Sequence, residues 1–229
     1  MQLSSLKNIT QQEYARSLDS GKAGPMKHGY PAVIIHADGT ITKLWAKKPG
    51  WLSSSRWRRY SSRFINNAEN LRNRGVTVPQ IITHKKIRGT HVYLVQYHSL
   101  PGQSIRELLE HHPEKVDIPS LAQYFYDLHE KGIIFRAIHL GNVIQTPDGK
   151  YGLIDFTDIT FLKHPAPLAR RAANIATPLR YREDVQRMEE SGLPDFLKSY
   201  LTILRKESAT FNEKSFMKIL SRTTISVAL

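Results

Sequence analysis

Two Asp-Gly pairs, Asp38-Gly39 and Asp148-Gly149, each stand between short apolar runs. This is the strongest short-range signal for an antiparallel hairpin, because the favoured tight turns need positive φ where Asp and Gly tolerate it. A two-residue turn centred in PAVIIHADGTITKLWA pairs Ala37 with Thr40 and Ile34 with Lys43. Alternation then sets Ile41, Lys43 and Trp45 on one strand face. In NVIQTPDGKYGLID the same construction pairs Pro147 with Lys150 and puts Asn142 opposite Asp155. Opposed side chains start ~4.5–5.5 Å apart at Cβ. An amide oxygen and a carboxylate at that spacing suit a shared hard cation such as Mg²⁺.

Between the hairpins, residues Ser53 to Arg74 read as a helix, with a serine cap, Gly75 as stop, and a stripe of Tyr60, Phe64, Ala68 and Leu71. Pro79 introduces a strand, QIITH, and Arg88-Gly89 turns into a second, HVYLVQY. HSLPGQS then breaks the pattern. Helical spacing follows over Ile105 to His111 and Ile118 to Lys131, with Pro113 and Pro119 as separators, and again from about Pro165 with breaks at Pro178 and Pro194. The first ~20 residues are polar and too weakly patterned to assign. The expectation is α+β, with strands and one long helix first, a break near residues 97 to 102, and a mostly helical second half.

Among 229 residues there is no Cys, which excludes disulfides and thiolate chemistry. MQLSSLKNITQQEYAR lacks the apolar core of a secretory signal, and no apolar run approaches the ~20 residues of a membrane span, so a cytoplasmic protein is expected. Lys and Arg outnumber Asp and Glu 33 to 20, which favours an anionic partner. Seven basic residues and all three tryptophans fall between Lys43 and Arg63, with no acid among them. Such a segment can stack on and neutralise an anionic ligand, or form a solvated helix face with its indoles packed inward. No helix-turn-helix, RRM or zinc pattern accompanies the charge, so nucleic acid is not the expected partner.

GIIFRAIHLGNVI, residues 132 to 144, stands between a helix ending in LHEKG and a hairpin ending in LIDF. That succession resembles the protein-kinase-like fold, in the branch nearer aminoglycoside and lipopolysaccharide phosphotransferases. The catalytic loop falls on Phe135 to Asn142, and the metal-binding Asp-Phe-Gly-like motif on Asp155-Phe156-Thr157. Thr40-Ile41-Thr42-Lys43 matches the strand of the phosphate-binding lysine. HVYLVQYHSLPG is similar to the hinge strand. The run TKLWAKKPGWLSSSRWRRYSSRF points to the lipopolysaccharide core kinases, the Kdo/heptose kinase (WaaP-like) family that includes toluene tolerance proteins.

The resemblance implies a bilobal unit, with an N-lobe over residues 1–97 and a C-lobe over 98–229. It implies ATP, held near Ile41 and Lys43 and by backbone groups of Gln96, Tyr97 and His98, and Mg²⁺ on Asn142 and Asp155. Arg136 and His139 belong to the loop, chiefly as braces. The implied acceptor is a sugar hydroxyl of lipopolysaccharide core (Kdo or heptose) or another anionic phosphorylated substrate. The place would be the cytoplasmic face of the inner membrane, with peripheral contact to anionic headgroups.

Three departures qualify the pattern. Ala137 stands where the loop aspartate belongs. No G-x-G-x-x-G covers the phosphates, the nearest stretch being SGKAGPMKHG, residues 20 to 29. The helix acid expected to pair with Lys43 falls in register at Phe64, and the only acid on that helix is Glu69. Phosphoryl transfer depends mainly on positioning and charge stabilisation. A missing base, worth ~10²–10⁴-fold, therefore leaves room for a working enzyme. His139 and Asp158 are the candidates to replace it. The other reading is a nucleotide-binding pseudokinase that regulates or scaffolds envelope assembly.

Overall fold

The computed structural model describes residues 5–19, 21–46, 60–178, 182–191, 193–208 and 211–225. The chain is α+β with a mixed sheet, and it divides into two compact units, residues 1–100 and 101–229.

The first unit opens with β1 (Lys7–Ile9) and α1 (Gln11–Asp19), a helix the weak pattern did not reveal. A Thr-x-x-Glu capping box starts it. Thr10 N donates to Glu13 Oε2 at 2.6 Å, and Glu13 N donates back to Thr10 Oγ1 at 3.2 Å. The remaining elements are β2 (Gly21–Ala23), β3 (Met26–Lys27), β4 (Tyr30–Pro31), β5 (Val33–His36), β6 (Thr40–Trp45), α2 (Tyr60–Asn73), β7 (Gln80–Ile87) and β8 (Tyr93–His98). Six strands form one sheet in the order β1-β7-β8-β6-β5-β2. It is antiparallel except where β1 runs parallel to β7.

The register of the first Asp-Gly hairpin corrects the expected one by one residue. Ile34 pairs with Thr42 and Val33 with Lys43. The loop is Ala37-Asp38-Gly39, closed by Gly39 N donating to His36 O, with Gly39 at φ 78°. This is the three-residue solution, a turn followed by one left-handed glycine. Asp38 stabilises it by accepting from both the amide and the hydroxyl of Thr40. Asp-Gly thus supplies an acceptor and one positive φ, where a two-residue turn would need two.

Residues 21–31 form one side and the tip of an antiparallel ribbon. From Gly21↔His36 through Ala23↔Ile34 to Lys27↔Tyr30, one register continues along a long ribbon. Gly24 N donating to Val33 O and Ala32 N donating to Pro25 O bridge its two halves. The tip is His28-Gly29, at φ 53° and 81°, a two-residue turn with both centres left-handed.

The expected helix from Ser53 is described from Tyr60 onward, and its proposed serine cap lies outside the described residues. Its end matches expectation. Gly75 turns left-handed at φ 67°, and Val76 N reaches back to Leu71 O at 2.9 Å. Phe64, Ala68 and Leu71 are buried as the stripe requires, while Tyr60 is half-buried.

The second unit contains β9 (Gln103–Ser104), α3 (Ile105–His111), α4 (Ile118–Glu130), β10 (Ile133–Phe135), β11 (Val143–Gln145), β12 (Tyr151–Leu153) and β13 (Ile159–Phe161). Helices α5 (Leu168–Ile175), α6 (Arg182–Ser191), α7 (Leu193–Glu207) and α8 (Glu213–Ile225) follow. Its strands form two small sheets, β12-β11-β9 and β10-β13. Pro119 falls at the start of the helix expected from Ile118, whereas Pro194, expected as a break, begins a helix instead. Pro119 and Pro194 are the second residues of α4 and α7, where no intrahelical N–H is needed. Among the described residues no helix is long and apolar enough to cross a membrane.

Gly102 leads into β9 at φ 117°, and a Cβ there would sit 2.0 Å from the carbonyl oxygen of Gln145. Only glycine permits that approach. Helix α4 packs on α7 through edge-to-face contact of Phe125 with Phe196. Beside it, His129 is 1% exposed and bonded to Tyr200 Oη at 2.6 Å and Asn174 Oδ1 at 3.1 Å. Asn174 Nδ2 in turn donates to Phe135 O at 2.8 Å, tying the buried histidine to the end of β10.

Burial holds His129 neutral by lowering its pKa to about 4, opposed by the Asn174 bond and helped by the Arg171 charge. The unfolded chain takes up a proton near pH 6.5 that the folded one refuses, so stability falls as pH drops. The loss begins near the unfolded value and is complete near pH 4. Urea titrations across this window should show about 3 kcal/mol lost. His129→Gln should flatten that stretch of the profile while lowering stability at pH 7.

Candidate functional site

Lys43 lies on the central strand β6, whose alternate residues Thr40, Thr42 and Leu44 are buried on one face. Ile41, Lys43 and Trp45 occupy the other face, as alternation predicts, and are half-buried. Helix α2 covers this second face through Phe64, whose ring lies 5.5 Å from those of Trp45 and Tyr97. The Lys43 ammonium sits 5.7 Å from the Trp45 ring centroid and 5.8 Å from that of Phe64. The helix position that faces the lysine thus presents an aromatic face, an attractive surface for a cation. Glu69, five residues further on, points about 140° away around the helix.

Gln96, Tyr97 and His98 pair on both flanks. Tyr97 stands between Ile41 and Ile81, and His98 between Thr40 and Gln80. The peptide groups of Gln96 and Tyr97 are therefore engaged in ladders, which corrects the expectation that they would meet a purine edge. Backbone clear of the sheet begins at Ser99, whose hydroxyl donates to Gly39 O. Of the basic, tryptophan-rich run, Lys47, Lys48, Trp51, Arg56, Trp57, Arg58 and Arg59 lie outside the described residues.

In the second unit, the loop from Arg136 to Asn142 joins β10 to β11. Ile138 and Leu140 are buried and fix its path, while Arg136 is exposed and its N–H donates to Asp158 O. Asn142 ends a 3₁₀ turn, 6% exposed, and its side-chain N–H donates to Ala137 O at 3.0 Å. The amide therefore closes the loop across Ala137, leaving its oxygen for another partner.

The β11–β12 hairpin also differs from its expected register by one residue. Val143 pairs with Leu153 and Gln145 with Tyr151, and Gly149 at φ 77° completes a three-residue loop. Lys150 and Thr146 hold the Asp148 carboxyl down at about 2. Asn142 consequently stands opposite Ile154, whose N–H donates to Asn142 O at 3.0 Å. Asp155 comes one residue later, so the two expected metal ligands are near neighbours rather than a cross-strand pair.

Asp155 is exposed at φ 52°, and Phe156 behind it is fully buried. Left-handed backbone in a residue other than glycine costs energy, although Asp tolerates it better than most. Here it turns a carboxylate outward while anchoring the next side chain in the core.

Sequence reasoning missed the groups that brace this loop. Asp184, on α6, has a side chain with 0% exposure. Arg106 on α3 donates to both of its oxygens, from Nε at 2.6 Å and Nη2 at 3.1 Å. Leu140 N, inside the loop, donates to the same carboxylate at 3.1 Å. Arg106 Nη2 also approaches His139 Nδ1 at 3.5 Å. Burial and the Arg106 charge lower the His139 pKa, against the raising effect of Asp184 and Asp155. The ring is neutral at pH 7, and the nitrogen facing the guanidinium is its acceptor. That arrangement suits a brace better than a base. An isolated Asp–Arg pair 78 residues apart leaves no local pattern in a single sequence.

Among the described residues no group of three His, Asp or Glu side chains is arranged to hold a metal ion. No protein-family model matches the chain, and no curated protein gives a significant match.

Asp184→Ala removes this carboxylate from Arg106, which is 24% exposed, and leaves the Leu140 N–H without its acceptor. A loss of about 1–3 kcal/mol is expected by denaturant unfolding. Asp184→Asn should lose less, because it retains an acceptor.

Proposed function

We propose that this chain is an ATP-dependent phosphotransferase of the protein-kinase-like type, acting on a sugar hydroxyl of lipopolysaccharide core. The observation that supports this reading best is the pairing of a closed loop with an outward acid. Asn142 fastens the loop across Ala137 O, and one residue beyond the backbone partner of Asn142 the chain turns left-handed to expose Asp155. Backbone strain at an exposed, chemically able side chain is characteristic of sites kept for function.

The donor set fits Mg²⁺, which takes oxygen ligands, keeps several waters and commonly shares one or two carboxylates with substrate phosphates. Asp155 and the amide oxygen of Asn142 would hold it, and it would supply charge neutralisation on the phosphates. Lys43 would bind a phosphate oxygen, its ammonium drawn from the aromatic faces of Trp45 and Phe64. Arg106 and Asp184 would act through the loop, by fixing Leu140 and the ring of His139. The acceptor hydroxyl lacks an aspartate at position 137, so its proton would leave late to solvent or phosphate. A loose transition state tolerates this, at a cost of ~10²–10⁴-fold in rate. A negatively charged glycan would suit the net charge of +13.

The second reading, a nucleotide-binding pseudokinase that regulates or scaffolds envelope assembly, draws on Ala137 and on the lack of a G-x-G-x-x-G sequence.

Purified protein with labelled ATP, Mg²⁺ and dephosphorylated core oligosaccharide should transfer label. Asp155→Asn, which keeps the tolerance for φ 52° and removes the charge, should reduce transfer at least about 100-fold. Thermal stabilisation by Mg-ATP without transfer would select the pseudokinase. Neither transfer nor stabilisation would overturn both readings.

A further inference from the structure

The face of the first sheet turned away from Lys43 is divided. Ile34, Leu44, Ile87 and Leu94 form an apolar half sealed by Ile9 of β1 and Tyr14 of α1. Along the same face the strands then become polar, with His36, Thr42, Thr83, Lys85 and Gln96 around a cavity of about 600 Å³. A sheet face beneath a helix ordinarily continues apolar, because buried polar groups need partners. This change is therefore unexplained by folding alone.

Helix α1 has a matching division. Tyr14 and Leu18 lie toward the apolar half, while Glu13, Arg16 and Ser17, the neighbouring stripe, border the cavity. The floor carries hydroxyl, amide and imidazole groups. His36 Nε2 bonds Thr42 Oγ1 at 2.8 Å, and Gln96 Nε2 donates to Thr40 Oγ1 at 3.1 Å. Thr83 lines the wall with its hydroxyl buried and unpaired among the described residues.

The charges are asymmetric in their engagement. The rim acids are both occupied locally, Glu13 by the amide and hydroxyl of Thr10 and Asp38 by those of Thr40. Both carboxyls are held below their ordinary range, with these hydrogen bonds as the leading cause. Arg16 and Lys85, by contrast, make no ion pair among the described residues.

We infer that this cavity binds a small anionic polyol, a molecule of sugar-phosphate size. Its phosphate meets Arg16 and Lys85, and its hydroxyls meet the Thr42, Gln96 and His36 floor. The volume is that of an ordinary small-molecule pocket. Unpaired cations beside a hydroxyl-bearing floor match a ligand with one charged end and several hydroxyls better than an apolar one. The site lies on the opposite sheet face from Lys43, so it is separate from the nucleotide position proposed above and does not depend on it.

Glucose 6-phosphate, glucose and inorganic phosphate serve as probes, titrated without ATP into the full chain and followed by ¹⁵N NMR shifts at Thr42 and Gln96. Glucose 6-phosphate should saturate with Kd below ~1 mM, about tenfold tighter than either fragment. Arg16→Gln and Lys85→Gln, both on solvent-accessible side chains, should each weaken it about tenfold. Lys43→Met, on the other face, should leave the affinity unchanged. The inference is overturned by absence of saturable binding, by phosphate alone binding as well, or by indifference to both charge variants. It is equally overturned if Lys43→Met abolishes binding while the protein stays folded.

Discussion

A carboxylate with no solvent exposure cannot remain ionised without partners, and Asp184 has three N–H donors from two other parts of the second unit. Two come from Arg106 on α3 and one from the peptide of Leu140 inside the loop. The interaction fastens α6, α3 and the loop at one point. The 3₁₀ turn at residues 140–142 is too short to hold itself. With Leu140 fixed, Asn142 can reach back to Ala137 O, Ile154 can pair with Asn142, and Asp155 is delivered to the surface in its strained conformation. The buried ion pair is thus better understood as a positioning device than as a source of stability, since desolvation offsets much of its attraction.

The second unit's other polar core cluster extends the same logic to the strand before the loop. His129, Asn174 and Tyr200 join α4, α5 and α7, and Asn174 fixes the carbonyl of Phe135. Phe135 stands where the kinase pattern has histidine, and it is fully buried. An apolar ring there fills the core, and the anchoring role passes to the backbone oxygen. The loop is therefore pinned at Phe135, at Leu140 and at Asn142, with Ala137 and His139 half-buried between those pins.

How much of this was legible depended on the range of the signal. The strands β5 to β8 and β10 to β12, most helices and the break before Pro101 follow from local periodicity and turn residues, whereas β1 to β4, β9 and β13 were not assigned. The helix Ile105–His111 begins and ends where its pattern does. Both Asp-Gly hairpins were recognised, yet both registers slipped by one, because the pair fits a two-residue loop and a three-residue loop equally well in sequence. What decided was the residue after glycine or the one before the turn. Thr40 at one hairpin and Thr146 at the other supply a hydroxyl to the turn aspartate. Helix α1 was missed although Thr10 and Glu13 spell its cap, since its apolar residues are too few to show a stripe. The proline at α7, Pro194, was read as a break because a proline that ends one helix and one that starts the next look alike. Arg106 and Asp184, joined only in three dimensions, had no local trace.

Ala137 acquires a different meaning once the pins are known. Had the missing aspartate been needed to hold the loop, its loss would have let Asn142 and Asp155 drift apart. Instead the contact that closes the loop uses the main-chain oxygen of residue 137, which any amino acid supplies. The side chain at that position is therefore free to vary without disturbing the geometry around it. Under the proposed phosphotransferase reading, an alanine there would forgo proton acceptance and leave this positioning untouched. His139 is poorly suited to fill the gap, because its accepting nitrogen faces the Arg106 guanidinium. Asp155 is exposed at a left-handed φ, where glycine would sit with less strain. Under the proposed phosphotransferase reading, that exposed carboxylate would act on a charged ligand by electrostatics rather than by proton transfer.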